Sequence, residues 1–154
     1  MASETFNLSG IVRPAQEADL NSILKIEQAS FEQQWGCDQF KAALNDIFLL
    51  LEEKEIVGFV IACYCQLVNK GIIVRIAVNP SHRGKGIAKI LLGEALDRLK
   101  ALGVREIELS VDIVKTGAIK LYEKFGFKVL QVVSMNFNDN DVDESFYMMK
   151  LSLE

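Results

Sequence analysis

Apolar residues recur along this chain in two rhythms, one that fits helices and one that fits strands. Leu20, Ile23, Leu24 and Glu27 lie at helical spacing and predict a helix from about Ala18 to Ala29, behind a short strand near Leu8–Arg13. A second, shorter helix is expected near Asp38–Asn45, with Phe40, Ala43 and Leu44 on one side. Three apolar, β-branched runs follow: Ile47–Glu52, Ile56–Leu67 and Gly71–Val78. The polar turn Glu53-Lys54-Glu55 makes the first two a hairpin. Polar Asn79–Gly86 then opens an amphipathic helix over Ile87–Leu102, with Ile87, Ile90, Leu91, Leu92, Ala95, Leu96 and Leu99 inward and Gly103 placed to end it. A strand at Glu106–Val111, a helix at Thr116–Phe125 and a strand at Phe127–Phe137 come next. The acidic stretch Asn138–Glu144 separates them from a last strand, Ser145–Leu153. Strands alternating with helices in the middle, and hairpins at both ends, predict a mixed α/β sheet with helices on both faces.

Composition narrows the function classes. Of the 154 residues 50% are hydrophobic and 25% charged, which excludes disorder. No repeat or linker interrupts the pattern, so one domain over residues 1–154 is expected; a chain near this length buries about 68–70% of its unfolded surface. The longest apolar run, Ile56–Cys65, is far short of the roughly 20 residues of a spanning helix. The opening MASETFNLSG has no basic head followed by an apolar stretch. A cytoplasmic protein without membrane association is the expectation. With 17 basic and 21 acidic residues the net charge is −4, which argues against dedicated nucleic-acid binding but leaves room for a local basic patch. Cys63 and Cys65 sit two apart on one strand face, and Cys37 lies apart from them. No CxxC pair or histidine cluster accompanies them, so small, buried, reduced cysteines and no metal site are expected. The pattern does not choose between a monomer and a homodimer.

The chemistry concentrates in Ile76–Leu92, IAVNPSHRGKGIAKILL, where a strand runs into a glycine-bearing loop that becomes the first turn of a helix. The first N–H groups of a helix lack intrahelical partners, and the dipole places partial positive charge there. Gly84 and Gly86 let backbone approach a ligand, and Arg83, Lys85 and Lys89 add charge at the same point. This is how a pyrophosphate site is built. A Walker loop would need Lys after its last glycine, but Ile87 follows Gly86. A dinucleotide fingerprint would need a third glycine where Lys89 stands. On the residues alone, a phosphate loop and an ordinary turn with solvated charges both remain open.

Arg83-Gly84-Lys85-Gly86-Ile87-Ala88, behind the strand Ile73–Val78, resembles the pyrophosphate motif of the GNAT family of N-acetyltransferases: Gln or Arg, two residues, Gly, one residue, Gly or Ala. AIKLYEKFGF, Ala118–Phe127, is similar to the family's A-I-x-L-Y-x-x-x-G-F segment, and Val12–Leu20 to its opening strand and first helix. Within the family, Ile26–Leu44 most resembles the ribosomal-protein-alanine N-acetyltransferases, with Ser-Phe, then Trp35, then F-x-x-x-L. The resemblance implies a single-domain fold with a mostly antiparallel seven-stranded sheet, helices on both faces and a splayed V between the fourth and fifth strands. It implies acetyl-CoA as cosubstrate, its pantetheine on the backbone of Ile76, Ala77 and Val78. Gly84, Lys85, Gly86, Ile87, Ala88 and Lys89 would wrap the pyrophosphate with Arg83. Tyr122 would contact the cofactor and give a proton to the departing thiolate. Trp35 either lines the acceptor entrance or packs over the first helix.

Four positions depart from the family pattern. Ser110 stands where the ribosomal-protein enzymes carry a glutamate base, and its hydroxyl can orient a water but cannot take a proton at neutral pH. Lys115 stands at the family's asparagine, a cofactor contact, and offers phosphate a point charge instead of an amide. Asn136 and Phe137 replace the family's paired tyrosines. His82, the one histidine, is expected as a solvated loop residue, and Asn138–Glu144 as a solvated hairpin or an electrostatic guide for a cationic acceptor. The expected function is direct acetyl transfer from acetyl-CoA to a primary amine, most of all a protein or peptide N-terminal α-amine, whose pKa of about 7.7–8.0 makes it easy to deprotonate. The rivals are acetylation of a small amine or amino acid, and a CoA-binding module without turnover.

Overall fold

In the computed structural model, which describes residues 10–136 and 143–153, the strands are β1 (Ile11–Pro14), β2 (Ile47–Glu52), β3 (Ile56–Cys65), β4 (Lys70–Val78), β5 (Glu106–Asp112), β6 (Lys128–Asn136) and β7 (Asp143–Ser152). The helices are α1 (Leu20–Ser30), α2 (Cys37–Ala43), α3 (Ile87–Ala101) and α4 (Thr116–Lys124). One seven-stranded sheet runs in the order β1-β2-β3-β4-β5-β7-β6. Neighbours are antiparallel at β1–β2, β2–β3, β5–β7 and β6–β7, while β4 and β5 are parallel, joining Lys70 to Glu106, Gly71 to Ile107 and Ile72 to Glu108. The mixed, mostly antiparallel sheet is therefore as expected.

The ends of elements moved for local reasons. The first helix starts at Leu20 rather than Ala18, behind a 3₁₀ turn at Glu17–Asp19. Asp19 is committed elsewhere: its carboxylate accepts from Gln16 N at 2.8 Å and from both Arg13 Nη atoms at 2.9 Å. That pairing holds the Asp19 carboxyl below the usual carboxylate range. The third strand ends at Cys65, two residues early, because Leu67 is exposed and the chain reverses at Asn69, whose φ of 54° is left-handed. Phe137, where β6 was expected to end, and the acidic residues 138–142 fall outside the described residues.

Internal contacts divide the chain into two compact units. In the first, Met1–Cys63 with Ile73–Arg98, α1 and α2 cover one face of β2 and β3. Leu20, Ile23, Ile26, Phe40 and Ala43 meet Phe48, Leu50, Phe59 and Ile61 in one buried cluster, with Phe40 edge-on to Phe59 at 5.6 Å. The opposite face takes α3. A Cβ on Gly58 would lie 3.1 Å from Leu91, 3.2 Å from Ile87 and 3.0 Å from the Ala77 carbonyl, so glycine lets helix and strands close up. Helices thus cover both faces of this unit. The second unit, Tyr64–Ile72 with Leu99–Glu154, packs Leu99 where a Cβ on Gly71 would intrude. Lys70 bonds Glu108 at 2.9 Å and Lys150 bonds Glu106 at 3.3 Å across its strands.

The cysteine expectation needs correcting. All three are unbridged, but Cys37 is exposed and Cys63 and Cys65 are half-buried. Burial along β3 fades at its C-terminal end, where those two sit. Among the described residues no helix is long and apolar enough to cross a membrane.

Candidate functional site

The loop from β4 to α3 is stiffened before it reaches its glycines. Asn79 N donates to Val57 O at 2.8 Å, and Asn79 Oδ1 accepts from Ser81 N at 3.1 Å and Ser81 Oγ at 2.9 Å. His82 is half-buried, with Nδ1 3.1 Å from Ser81 Oγ and Nε2 3.9 Å from Glu53, a loop-bracing position. Gly84 and Gly86 follow with φ of 82° and 83°. A Cβ on either would meet nothing within 4 Å, so the backbone conformation, and not a lack of space, demands glycine.

Helix α3 begins directly after Gly86, whose carbonyl accepts the first turn's closing bond from Ile90 N at 3.1 Å. The first turn holds no acidic side chain. The first N–H groups of a helix lack intrahelical partners, and here exposed Lys85 and Lys89 flank them, which makes a cationic end suited to an anion. Ile87 is buried and anchors the turn, with Ala88 half-buried beside it. Arg83 is exposed but bonds back along the loop: Nε donates to Val78 O at 3.1 Å and Nη2 to Ser30 Oγ at 3.3 Å, tying loop to strand and to α1. Ala77 and Val78 are buried at the end of β4, and Ile76 is half-buried.

The same unit holds Trp35 in the connection between α1 and α2. Its ring is half-buried, 5.2 Å from Phe40. Its backbone N–H donates to Glu27 Oε2 at 2.8 Å. Glu27 is 0% exposed, and Arg75 from β4 grips it, Nε donating to Oε1 at 3.0 Å and to Oε2 at 2.9 Å while Nη2 donates to Oε2. The guanidinium lies 4.0 Å over the Phe31 ring and 5.1 Å from Trp35, and its Nη2 also donates to Gln33 O at 3.0 Å. Helical spacing put Glu27 on the apolar stripe but could not name its partner. A carboxylate on such a stripe is the signal that called for one.

In the second unit, Ser110 is exposed on β5, opposite Met148 of β7. Lys115 is exposed and caps α4; its carbonyl accepts from Ile119 N and its N–H donates to Asp112 O, both at 3.0 Å. Tyr122 is buried on α4 with its ring 5.9 Å from Phe127, and burial pushes its phenol up to about 12. Such a phenol stays protonated throughout the neutral range and can donate a proton.

The model of the acetyltransferase (GNAT) family matches residues 18–127. The chain belongs to the GNAT acetyltransferase family. Among GNAT relatives, it is 30% identical to the [ribosomal protein bS18]-alanine N-acetyltransferase of Haemophilus influenzae, covering 89% of this chain and 87% of the relative. It is 29% identical to an N-alpha-acetyltransferase of Saccharolobus solfataricus, covering 90% of each. Its fold matches that of Arabidopsis thaliana Naa50 in complex with the bisubstrate analogue CoA-Ac-MVNAL, with a TM-score of 0.81 at 22% identity, covering 94% of this chain and 99% of that one.

A stability comparison separates conformational demand from space at the GNAT loop. Gly86→Ala costs about 1–2 kcal/mol, because an L-residue is strained at positive φ. Gly117→Ala, in α4 with nothing within 4 Å of its Cβ, gains roughly 0.5–1 kcal/mol. Urea denaturation of the two variants reads both signs, and a Gly86→Ala protein as stable as wild type contradicts the assignment.

Proposed function

We propose that the protein transfers an acetyl group directly from acetyl-CoA to the N-terminal α-amine of a protein or peptide. The observation that carries this reading is the β4–α3 loop, where two left-handed glycines, a helix N-terminus without acidic residues in its first turn, and exposed Lys85 and Lys89 present one cationic backbone surface. In this reading the diphosphate of acetyl-CoA takes the N–H groups of Gly84 to Lys89, and Ile76 to Val78 offer backbone to the pantetheine. Lys115 adds charge toward the cofactor. The α-amine acceptor is supported by the activities of the Haemophilus and Saccharolobus relatives. The family match runs through residues of both units, which supports a single acetyltransferase domain over residues 1–154.

The chemistry asks for a neutral amine, a stabilised oxyanion and a proton for the thiolate. Backbone N–H donors near Ala77–Val78 serve the oxyanion, and Tyr122 protonates the sulfur. With Ser110 at the base position, an ordered water takes the amine's proton, and the rate rises with pH toward the α-amine's own pKa of about 7.7–8.0. Ser110 also favours the second reading, a module that binds CoA without turnover.

Short peptides with free N-termini are acetylated in the presence of acetyl-CoA, and N-terminally blocked peptides carrying an internal lysine are not. Acetylation of the blocked peptides or of small amines alone defeats the α-amine reading. CoA binding without any turnover establishes the module. Tyr122→Phe keeps the buried ring and lowers kcat by about 10²–10⁴-fold with little change in CoA affinity. Because burial raises the phenol to about 12, wild-type kcat shows no falling limb from this group near pH 10. A falling limb there that disappears in Tyr122→Phe rejects a buried, permanently protonated acid.

A further inference from the structure

The sheet ends in two edges of different character. β1 is four residues long and carries Arg13 and Pro14, the short, charged, proline-bearing kind of edge that resists pairing with another chain. β6, at the other end of the order, runs for nine residues without a proline, and after Lys128 it has no charged residue. β7 occupies one side of it, and among the described residues nothing pairs with the other. A bulge between Val129 and Gln131 interrupts the ladder to β7 and leaves Gln131–Asn136 as its regular stretch. Val129 is 46% exposed, Leu130 56% and Val132 57%, so the open edge is also apolar. The two ends of the edge carry opposite charge. At its start exposed Lys128 pairs in register with Lys150, and with Val129 and Leu130 these lysines line a shallow pocket of about 240 Å³. At its far end Glu144 of β7 stands in register with Met135. Lys150 is bonded to Glu106 at 3.3 Å, whereas Lys128 and Glu144 have no ion-pair partner among the described residues.

We propose that the outer edge of β6 is the interface of a two-fold homodimer, in which β6 of a second copy pairs with it antiparallel and the two seven-stranded sheets become one. Pairing by strand addition satisfies the free backbone groups of both edges at once. A strand that pairs with its own copy across a two-fold axis runs antiparallel to it, so the start of β6 in one protomer meets the end of β6 in the other. Lys128 and the lysine-lined pocket of each protomer thereby approach the Glu144 end of its partner, twice per dimer. A parallel arrangement would set Lys128 beside Lys128 and leave the sheet open to further copies. Leu130 and Val132 lose their exposure along the seam, which supplies the apolar part of the contact. The charge pattern that selects a second copy is thus written into the edge itself. The inference rests on this strand alone and holds whichever amine is acetylated.

Sedimentation velocity on the full chain, from low micromolar to submillimolar concentration, tests the interface. Wild type passes from monomer to dimer over that range, and added salt shifts the transition to higher concentration because the end contacts are exposed charges. Val132→Lys puts a charge in the middle of the edge and leaves a monomer with an unchanged far-UV circular dichroism spectrum. Lys128→Glu and Glu144→Lys each set like charges against one another at both ends of the seam, and each weakens association about tenfold or more. An equimolar mixture of these two variants dimerises again, because every end contact in the mixed dimer then joins opposite charges. Wild type that stays monomeric throughout the range overturns the proposal, and so does a dimer that Val132→Lys leaves intact, which marks another face. A mixture of Lys128→Glu and Glu144→Lys that associates no better than either variant alone overturns the antiparallel arrangement and the proposal with it.

Discussion

Between β4 and α3 the backbone takes positive φ at Gly84 and again at Gly86, a conformation that costs an L-residue about 1–2 kcal/mol at each position. That constraint determines what the chain can offer a ligand there. The double reversal brings a strand's end directly onto a helix's beginning. The first N–H groups of α3 have no intrahelical partners to take, and Lys85 and Lys89 stay in solvent. Asn79, the Arg83 bonds to Val78 and Ser30, and buried Ile87 hold the loop on both sides. A rigid loop of this kind binds an anion without first having to order itself, so less of the binding energy is lost to entropy.

The first unit uses its apolar layers to fix polar parts. Phe40 of α2 and Phe48 and Phe59 of the sheet form a continuous ring contact. At the rim of that cluster the only buried charge among the described residues, Glu27, is matched by Arg75. A buried carboxylate without its partner would be strongly destabilising, so the pair ties the geometry of β4 to that of the α1–α2 connection. Strand β4 thus carries Arg75 at one point and leads into the glycine loop a few residues later. In the second unit, burial rather than charge sets the character of Tyr122, whose phenol is held in its protonated form.

Much of this was legible from the residues. Alternation and helical spacing located the strands and α-helices but not the 3₁₀ turns at Glu17–Asp19 and Pro80–His82, because each apolar run is bounded by polar turns, and the paired glycines marked a loop that only glycine can form. The first helix was placed two residues early because Asp19 looks like a helix residue until Arg13 claims it, a contact no periodicity reveals. Cysteine is usually buried, yet Cys37 opens a short helix in solvent and Cys63 and Cys65 lie where β3 loses its cover. Glu27 sat in plain view on an apolar stripe, but its partner lies 48 residues away on another element. The roles proposed for Tyr122 and Ser110 rest on family resemblance alone, since a tyrosine on a helix and a serine on a strand announce nothing by spacing.

The account depends most on the β4–α3 loop being the diphosphate site, and backbone amide resonances test that residue by residue. Titrating CoA into isotopically labelled protein should perturb the amides of Ile76–Val78 and Gly84–Lys89 most strongly. Saturable binding with those amides unmoved, or no CoA binding at all, would contradict it.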